Sequence, residues 1–294
     1  MASVKTYLQL LRPANVVTSV ADVVAGIAIS GFFTQASDFA FTPVLLLCLS
    51  TACLYAGGIV FNDVFDYELD KTERPERALP SGKISLAQAV WFGSLLLISG
   101  VLLATAASLL SGALAFAIAG CALLYNRVGK HFRWLGPLNM GLCRGLNLLL
   151  GISIVPLALN NWYLVAIVPV VYIYAITMIS RGEVGGSGRK PLYAAMLLYL
   201  AVIGTIAALS FGSKLFPVTI ALLIAFGFFI FKPLLLAIQN PIGKNIGRAV
   251  KSGVIALIIM DAAWAVAFDA VYAAVFICLL LPLSLWLSKY FAVT

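Results

Sequence analysis

The stretch Asn62-Asp63-Val64-Phe65-Asp66-Tyr67-Glu68-Leu69-Asp70 decides how the rest of the chain is interpreted. A long apolar run, from about Val44 to Phe61, leads directly into it, so acidic groups appear where an apolar helix would leave a bilayer. On an α-helix, at about 100° per residue, one amide and three carboxylates of this stretch share roughly a quarter of the circumference. Like charges at such spacing repel one another, so the pattern predicts a cation between them.

The chemistry of these side chains favours magnesium. Carboxylate and amide oxygens suit Mg²⁺, which usually takes one or two protein carboxylates together with substrate phosphate oxygens. The predicted metal ligands are Asn62, Asp63, Asp66 and Asp70. The alternative is a solvated helix end, where acids and bases commonly cluster. It is less favoured because a solvated end does not need every acid on one face.

The composition places the chain in a membrane. Hydrophobic residues make up 63% of the sequence and charged residues 10%, with a mean hydropathy of +1.06, whereas soluble domains average about 25% charged residues. Backbone polar groups in hydrocarbon must be satisfied internally, so the long apolar runs are predicted to be helices. The distribution of the net charge of +8 indicates basic loops beside an anionic lipid leaflet, and we expect no nucleic acid partner.

The apolar runs predict an all-α, multi-pass transmembrane helical bundle, with residues 1–294 forming a single membrane domain. We expect about ten spans, or nine if the last two runs are divided differently. Their approximate limits are 13–33, 42–65, 86–106, 112–125, 135–157, 162–179, 192–211, 216–238, 254–268 and 271–287. Nearly all Lys and Arg residues fall in every second loop and at the termini, which the positive-inside rule assigns to the cytoplasm. We expect a bacterial inner (plasma) membrane protein with its site facing the cytoplasm.

Other metal and nucleophile patterns are missing from the sequence. None of the five cysteines belongs to a CxxC or Cys/His pattern, and all lie in apolar runs. His131 is the single histidine. The sequence therefore excludes a site with several histidine ligands and argues against a triad built on histidine.

A basic loop follows the acidic stretch. The segment from Glu68 to Ser85 carries Lys71, Arg74, Arg77 and Lys83. Acids that hold a metal, next to basic groups that bind the remaining phosphate oxygens, are what a complex of a metal with a diphosphate needs. The alternative, a positive-inside topology signal, explains the charges but not their position beside the acids.

Polar residues also occur inside the predicted spans. Asn15 and Asp22 are seven residues apart and share a helix face; a functional site and a hydrogen bond between helices remain equally open. Arg144 and Asn147 project together within the fifth span. For Arg144 we favour a place in a polar cavity over a structural pair with Asp22 or another acid. Further candidate substrate-binding residues in the loops are Tyr125, Lys130, Arg181, Glu183, Arg189 and Lys190.

At this point the residues show a resemblance to a family. The pattern Asn62-Asp63-x-x-Asp66-x-x-x-Asp70, followed by Arg74-Pro75 and by the segment 79–85, resembles the first signature of the UbiA superfamily of membrane prenyltransferases. Leu11-Arg12-Pro13 and the 125–130 loop are also similar to that family. The resemblance implies a helical bundle around a central cavity that opens sideways to lipid. It also implies Mg²⁺ held by two aspartate motifs, a prenyl diphosphate whose ionisation gives an allylic carbocation, and a small-molecule acceptor that captures the cation.

Carried over residue by residue, the resemblance implies a metal role for Asn62, Asp63, Asp66 and Asp70. It implies a phosphate-binding role for Arg74, Arg77 and Lys130.

The second motif departs from the family pattern. After the sixth span the family has another aspartate-rich stretch, but here the chain reads Ser180-Arg181-Gly182-Glu183-Val184, without aspartate. This sequence resembles that of the EboC branch of UbiA-like proteins, which implies a link to export of a secondary metabolite. We hypothesise that one Mg²⁺ lies at the first motif and that Arg181, Arg189 or Lys190 replaces a second ion by pairing with phosphate.

Two functional classes follow. The first is a Mg²⁺-dependent prenyltransferase acting within the membrane, with Asp63 and Asp66 as catalytic residues and Asp66 as the first choice for the residue whose loss stops turnover. The second is a UbiA-like protein that binds or moves a lipophilic metabolite precursor without converting it. The first motif favours the enzyme, and the altered second motif favours the carrier.

Overall fold

The chain is helical throughout the part that the structure describes. A computed structural model describes residues 4–35 and 40–291, and within these ranges it contains helices and no strand, which confirms the all-α prediction. The helices are α1 (Val4–Leu11), α2 (Pro13–Ile29), α3 (Phe32–Gln35), α4 (Phe41–Phe65), α5 (Tyr67–Glu73), α6 (Leu86–Ala107), α7 (Leu109–Arg127), α8 (Leu135–Ile152), α9 (Pro156–Trp162), α10 (Ile167–Ser180), α11 (Arg189–Leu209), α12 (Phe216–Gln239), α13 (Gly243–Ala267) and α14 (Val271–Tyr290).

Eight spans in the described residues are long and apolar enough to cross a membrane, or nine if α1 and α2, which meet at a bend of 53°, form one span. Nine is the lower predicted number, but the last two runs are separate helices, α13 and α14, so the predicted reason for nine does not apply. The counts of nine and ten differ by α8, which occupies the predicted fifth span but is not among the helices counted as apolar enough. Three polar side chains reduce its hydropathy: Asn139, Arg144 and Asn147.

Two helices form the centre of the bundle. Helix α13 is buried along most of its length, and α2 packs against α4, α8, α13 and α14. Large side chains such as Trp264 and Tyr172 are fully buried there, and the Tyr172 hydroxyl donates to the carbonyl of Gly253 at 2.8 Å. Many large apolar side chains of the outer helices are exposed, including Trp91 and Phe116. Such an apolar surface matches a hydrocarbon environment.

Small residues let α2 and α8 approach closely. A Cβ atom added to Gly26 would lie 2.9 Å from the Cα atom of Gly151 and 3.0 Å from the amide nitrogen of Ile152. Small residues at helix contacts are typical of membrane proteins, because dispersion contacts replace the hydrophobic effect there.

We therefore expect Gly26→Ala to destabilise the protein by about 1–3 kcal/mol through overpacking. The measurement is the thermal denaturation midpoint of the purified protein in detergent. The matched control is Gly120→Ala on α7, where an added Cβ meets no atom within 4 Å. Equal midpoints for the two variants would contradict the close approach.

A helix break shapes the acidic stretch. Helix α4 ends at Phe65, and Asp66 has backbone angles of φ −90° and ψ 4°, outside the helical region, before α5 begins at Tyr67. The expectation of one continuous helix from Asn62 to Asp70 is therefore wrong. The carboxylates at and after the break have different partners, because Asp66 pairs with Lys130 and Asp70 pairs with Arg77.

A second bend lies at Arg12, between α1 and α2. Its φ of 47° and ψ of 63° are left-handed, a conformation that costs free energy in a residue other than glycine and persists only when the surroundings hold it. Pro13 follows as the first residue of α2, where its missing N–H has no helical acceptor to lose. The bend brings the Arg12 guanidinium to the end of α4.

Candidate functional site

A chamber of about 430 Å³ lies between α2, α4, α7, α8, α10 and α13. Along α4 its lining runs from Thr51 to Asp66, which corresponds to about 22 Å at 1.5 Å per residue. Apolar side chains such as Ile59, Ile176 and Val254 form much of its wall. Charged and amide groups gather at one end, which we call the mouth; it comprises Arg12, Asn62, Asp66, Arg74, Asn126, Lys130 and Glu183.

Two of the four predicted metal ligands reach the mouth. Asn62 and Asp66 line the chamber. The Asn62 amide donates to the Asn126 side-chain oxygen at 3.1 Å, and the Asn126 amide donates to the carbonyl of Gly58 at 2.9 Å. The Asp66 carboxylate accepts a hydrogen bond from the Lys130 ammonium group. The Asp66 carboxylate and the amide nitrogen of Asn62, at the end of α4, are thus held by the loop after α7 and by the end of α7, respectively.

The other two predicted ligands are buried behind the chamber wall. Asp63 and Asp70 lie outside the chamber lining and are 7% and 3% exposed. The Asp63 carboxylate pairs with Arg12 at 2.7 Å and with Arg77 at 3.4 Å, and Asp70 pairs with Arg77 at 2.8 Å. The structure therefore does not bring the four side chains to one metal site, because the break at Asp66 and the two arginines separate them. A metal role remains a prediction for Asn62 and Asp66.

Some of the predicted phosphate-binding residues line the chamber, and others lie outside it. Arg74, Tyr125 and Lys130 line the chamber, whereas Arg77 is engaged with the two buried aspartates and Lys83 is exposed outside it.

The basic residues after α10 also lie outside the chamber. Arg181 donates to the carbonyl of Phe132 at 2.7 Å, and Arg189 donates to the carbonyl of Gln239 at 3.4 Å. Lys190 is exposed on the first turn of α11. The hypothesis that one of these three replaces a second metal ion by pairing with phosphate does not agree with their placement. Their side chains instead tie neighbouring loops together or face outward.

The loop between α10 and α11, residues 181–188, is called the second polar loop, and Glu183 is the carboxylate that it contributes to the mouth. Its Oε1 atom is buried and has no hydrogen-bond partner among the described residues. Burial raises the pKa of the Glu183 carboxyl, and the nearby positive charge of Arg74 opposes this shift in part. Backbone contacts hold the loop, since the Ser187 amide donates to the carbonyl of Pro241 at 3.2 Å.

The raised pKa of Glu183 gives a pH-dependent stability with a definite sign. Glu183 has a higher pKa in the folded protein than in the unfolded chain. At pH values between these two pKa values the folded protein binds more protons than the unfolded chain, so the protein becomes less stable as pH rises through this range. We expect Glu183→Gln to have a higher thermal midpoint than the wild type at about pH 8. The difference should disappear below about pH 4, where both states hold the proton. Glu76→Gln, at an exposed position, is the control. A lower midpoint for Glu183→Gln at the higher pH would contradict this sign.

The polar residues inside the spans agree with both predicted interpretations, a place in a polar cavity and a structural contact between helices. Asn15, Arg144 and Asn147 line the chamber. Arg144 also forms an ion pair with Asp22, the structural alternative, and the Asn147 amide donates to Asp22 at 3.0 Å. Asp22 itself is 1% exposed and does not line the chamber. Its predicted contact with substrate is therefore not supported, and it holds Arg144 and Asn147 in place instead.

Arg12 and Asn126 belong to the mouth although the sequence did not single them out as site residues. Arg12 lies just before the first predicted span, far from the acidic stretch in sequence, and its place at the mouth depends on the bend before Pro13. The Arg12-Pro13 pair at the start of the first span is the sequence feature from which a site role for Arg12 could have been predicted. Asn126 is 3% exposed at the end of a span, where a buried amide needs polar partners.

The donor atoms of the mouth fit a magnesium–phosphate complex. Among the described residues, no three Asp, Glu, His or Cys side chains meet as a metal-binding group. An all-protein metal cage is therefore not present in that part of the chain. Mg²⁺, however, usually takes one or two carboxylates and completes its shell with water and phosphate oxygens. Asp66, beside the Asn62 amide and the basic groups of the mouth, provides such a partial set.

Comparison with known proteins finds relatives that are named digeranylgeranylglyceryl phosphate synthases. The chain is 35% identical over 189 residues to the digeranylgeranylglyceryl phosphate synthase of Sulfolobus acidocaldarius, covering 63% of each protein. It is 31% identical over 180 residues to the protein of the same name from Saccharolobus solfataricus, covering 60% of this chain and 61% of that protein. The alignments thus span about six tenths of the length of these relatives.

Solved structures show the same fold at lower identity. A UbiA homologue from Archaeoglobus fulgidus, bound to GPP and Mg²⁺, matches with a TM-score of 0.65 at 16% identity, over 90% of this chain and 99% of that one. A structure described as a digeranylgeranylglyceryl phosphate synthase matches with a TM-score of 0.66 at 24% identity, over 92% of this chain and all of that one. The family model of the UbiA prenyltransferases matches residues 23–243. This chain therefore belongs to the UbiA prenyltransferase family.

Proposed function

We propose that this protein transfers a prenyl group from a prenyl diphosphate to a small-molecule acceptor within the membrane and that it requires Mg²⁺. The observation that carries the proposal is the mouth of the chamber. There Asn62 and Asp66 meet Arg12, Arg74 and Lys130 at one end of an apolar-walled space. Groups for a charged diphosphate and walls for a hydrocarbon tail are joined in one cavity, which fits an amphiphilic donor.

The basic groups of the mouth would hold the diphosphate as it leaves. Arginine and lysine donate charge-assisted hydrogen bonds to phosphate oxygens, and Arg12, Arg74 and Lys130 line the chamber. Mg²⁺, when bound, neutralises charge that develops on the leaving group. Asp63 acts as a positioning residue, because its carboxylate fixes the guanidinium of Arg12 at 2.7 Å.

The walls of the chamber suit the cation that remains. The ring of Tyr125, which lines the chamber next to Asn126 of the mouth, can stabilise positive charge through its π electrons. The surrounding apolar side chains would exclude water, which protects an allylic cation from hydrolysis.

The charges at the mouth support one magnesium ion. When the ion pairs directly behind the wall are counted with the mouth, four basic side chains (Arg12, Arg74, Arg77, Lys130) stand against four acidic ones (Asp63, Asp66, Asp70, Glu183). A diphosphate carries about three negative charges, so one Mg²⁺ leaves about one negative charge in excess. A proton on Glu183 balances it, in agreement with the raised pKa of that group.

The test uses purified protein with radiolabelled GPP and an acceptor of the glyceryl phosphate class, and it follows release of diphosphate and labelling of the acceptor as a function of Mg²⁺ concentration. We expect a saturation curve for a single ion. Asp66→Ala should abolish release, whereas Asp63→Ala should raise the KM for GPP and leave the Mg²⁺ concentration at half-saturation unchanged. Cooperative dependence on two ions, or loss of Mg²⁺ affinity in Asp63→Ala, would contradict this division of roles.

A carrier that binds a lipophilic precursor without converting it is the second candidate. The observation that favours it is the second polar loop, where Glu183 is the one carboxylate lining the chamber among the described residues of that loop. Mg²⁺-dependent binding of GPP without release of diphosphate would support it. The likeness to the EboC branch and the link to a secondary metabolite stay predictions.

The proposed setting is a single domain, residues 1–294, in a bacterial plasma membrane with the mouth at the cytoplasmic side. The polar loops after α4, α7, α10 and α12 meet at one end of the bundle, through contacts such as Lys130 with Asp66 and Ser187 with Pro241. Basic loops at one end support this orientation. The relatives' name suggests a glyceryl phosphate as one acceptor class for this chain.

A further inference from the structure

A second polar site lies deep in the chamber, away from the mouth. We call it the deep polar cluster; it comprises Asp22 of α2, Thr51 of α4, Arg144 and Asn147 of α8, and Asp261 of α13. Each of these side chains belongs to a residue that is 5% exposed or less. Thr51, Arg144 and Asn147 line the chamber. Buried ionisable groups in a membrane bundle are costly and commonly mark a functional site.

Arg144 keeps one nitrogen for a ligand. Its Nε atom pairs with Asp22, and its Nη2 atom donates to the carbonyl of Thr18 at 2.8 Å. The Nη1 atom is buried and has no hydrogen-bond partner among the described residues. Arg144 is 4% exposed and lines the chamber, so this unpaired donor belongs to a side chain in the chamber wall, within reach of a ligand after a small side-chain movement. Leaving such a donor unpaired costs free energy.

The cluster has no surplus positive charge. The Asp22 carboxylate neutralises the Arg144 guanidinium in their ion pair, and Asp261 of α13, close to both, adds no positive charge in either protonation state. An anionic ligand here would be an uncompensated buried charge, which is expensive in a low-dielectric interior.

The depth of Arg144 separates it from the diphosphate. Its guanidinium lies 5.7 Å from the ring centroid of Tyr55, and Tyr55 precedes Asp66 by eleven residues on α4, which is about 16 Å of helix. Along α2 the separation is smaller, because the Thr18 carbonyl that Arg144 binds lies six residues after Arg12, about 9 Å of helix. An acceptor bound at Arg144 can therefore extend to the reacting carbon beside the diphosphate. A prenyl tail can reach Arg144 but carries no hydrogen-bond acceptor for the unpaired nitrogen.

We propose that Arg144 is a specificity-determining residue that binds a neutral oxygen of the acceptor, a hydroxyl or a carbonyl, at the deep end of the chamber. This inference rests on the proposed transferase function. Asn147 and Thr51 complete the subsite: Thr51 donates to the Asn147 side-chain oxygen at 2.6 Å, and the Asn147 amide donates to Asp22. These contacts fix the Asp22 carboxylate that holds Arg144.

The experiment compares two acceptors of nearly equal shape, 4-hydroxybenzyl alcohol and 4-hydroxybenzoate, one neutral and one anionic. Their affinities are measured calorimetrically on the full-length protein with Mg²⁺ and a non-hydrolysable thio analogue of GPP. We expect the alcohol to bind at least about tenfold more tightly than the carboxylate, as a lost charged hydrogen bond or an unpaired buried charge predicts. Arg144→Gln should weaken binding of the alcohol by about tenfold and leave affinity for the GPP analogue unchanged.

Arg144→Gln leaves Asp22 without its partner and could unfold the protein. The double variant Arg144→Met with Asp22→Asn removes both charges together and serves as the second test. Lys232→Gln, which removes a basic group from α12 outside the chamber, is the control and should change neither affinity. Tighter binding of the carboxylate, binding of neither acceptor, or unchanged alcohol affinity in the double variant would overturn the inference. Loss of Mg²⁺-dependent binding of the GPP analogue in the wild type would instead refute the proposed function.

Discussion

Asp66→Asn should reduce Mg²⁺-dependent release of diphosphate from GPP by about a hundredfold to a thousandfold. Asp66 is the carboxylate of the first motif that lines the chamber, and it lies at the break between α4 and α5. Asparagine keeps the volume of the side chain but loses the charge that would hold Mg²⁺ beside the leaving group. The substitution also frees Lys130 from its ion pair, so GPP itself should still bind through the basic groups.

The measurement separates these effects by recording kcat and the dissociation constant of GPP for each variant. The matched control is Glu68→Gln, since Glu68 lies two residues further on, is exposed, and pairs with Lys71 at 2.9 Å. It should behave as the wild type does. Wild-type turnover in Asp66→Asn would show that the carboxylate has no part in the reaction, and the assignment of the mouth as the metal site would be wrong.

Arg77→Gln should be the most destabilising substitution in the loop after α5, by about 3–5 kcal/mol. The Arg77 guanidinium lies between two buried carboxylates, at 2.8 Å from Asp70 and 3.4 Å from Asp63. Removing it leaves Asp70 buried without its cation, which is the costly way to break an ion pair. Asp63 keeps Arg12 at 2.7 Å, so the loss should fall mainly on the contact between α5 and the loop that follows it.

The thermal midpoint in detergent reports this loss, and Lys83→Gln provides the comparison. Lys83 lies in the same loop and is exposed, so its neutralisation should leave the midpoint almost unchanged. If Arg77→Gln lowered affinity for GPP at an unchanged midpoint, Arg77 would be a phosphate-binding residue after all, as the sequence first suggested.

The chemistry of the chain could be predicted from its sequence because it depends on composition and on short spacings. Long apolar runs are enough to predict membrane helices, since backbone polar groups have no other partners in hydrocarbon. The acidic stretch that ends the Val44–Phe61 run is enough to predict the polar end of the cavity, and Asp66 lines that cavity, while its metal role stays a prediction. The polar pair Arg144 and Asn147 was likewise expected in a cavity, and it lines one.

Which aspartates of the acidic stretch reach the chamber and which are buried in ion pairs could not be predicted from the sequence. A helical repeat places Asp63, Asp66 and Asp70 on one face, but it cannot tell that the helix breaks at Asp66 or that arginines from distant segments neutralise the other two. Those partners come from the bend before Pro13 and from the loop after α5.

What the sequence by itself determined is the all-helical membrane architecture and the family, because both follow from local patterns that every window of the chain displays. What only the tertiary structure decided is which polar groups face the chamber. Arg181, Arg189 and Lys190 looked equivalent to Arg74 and Lys130 along the chain, yet they lie outside the cavity. The physical reason is that burial and ion pairing depend on contacts between segments far apart in sequence. Such contacts are set by packing of the whole bundle and not by the spacing of residues within one helix.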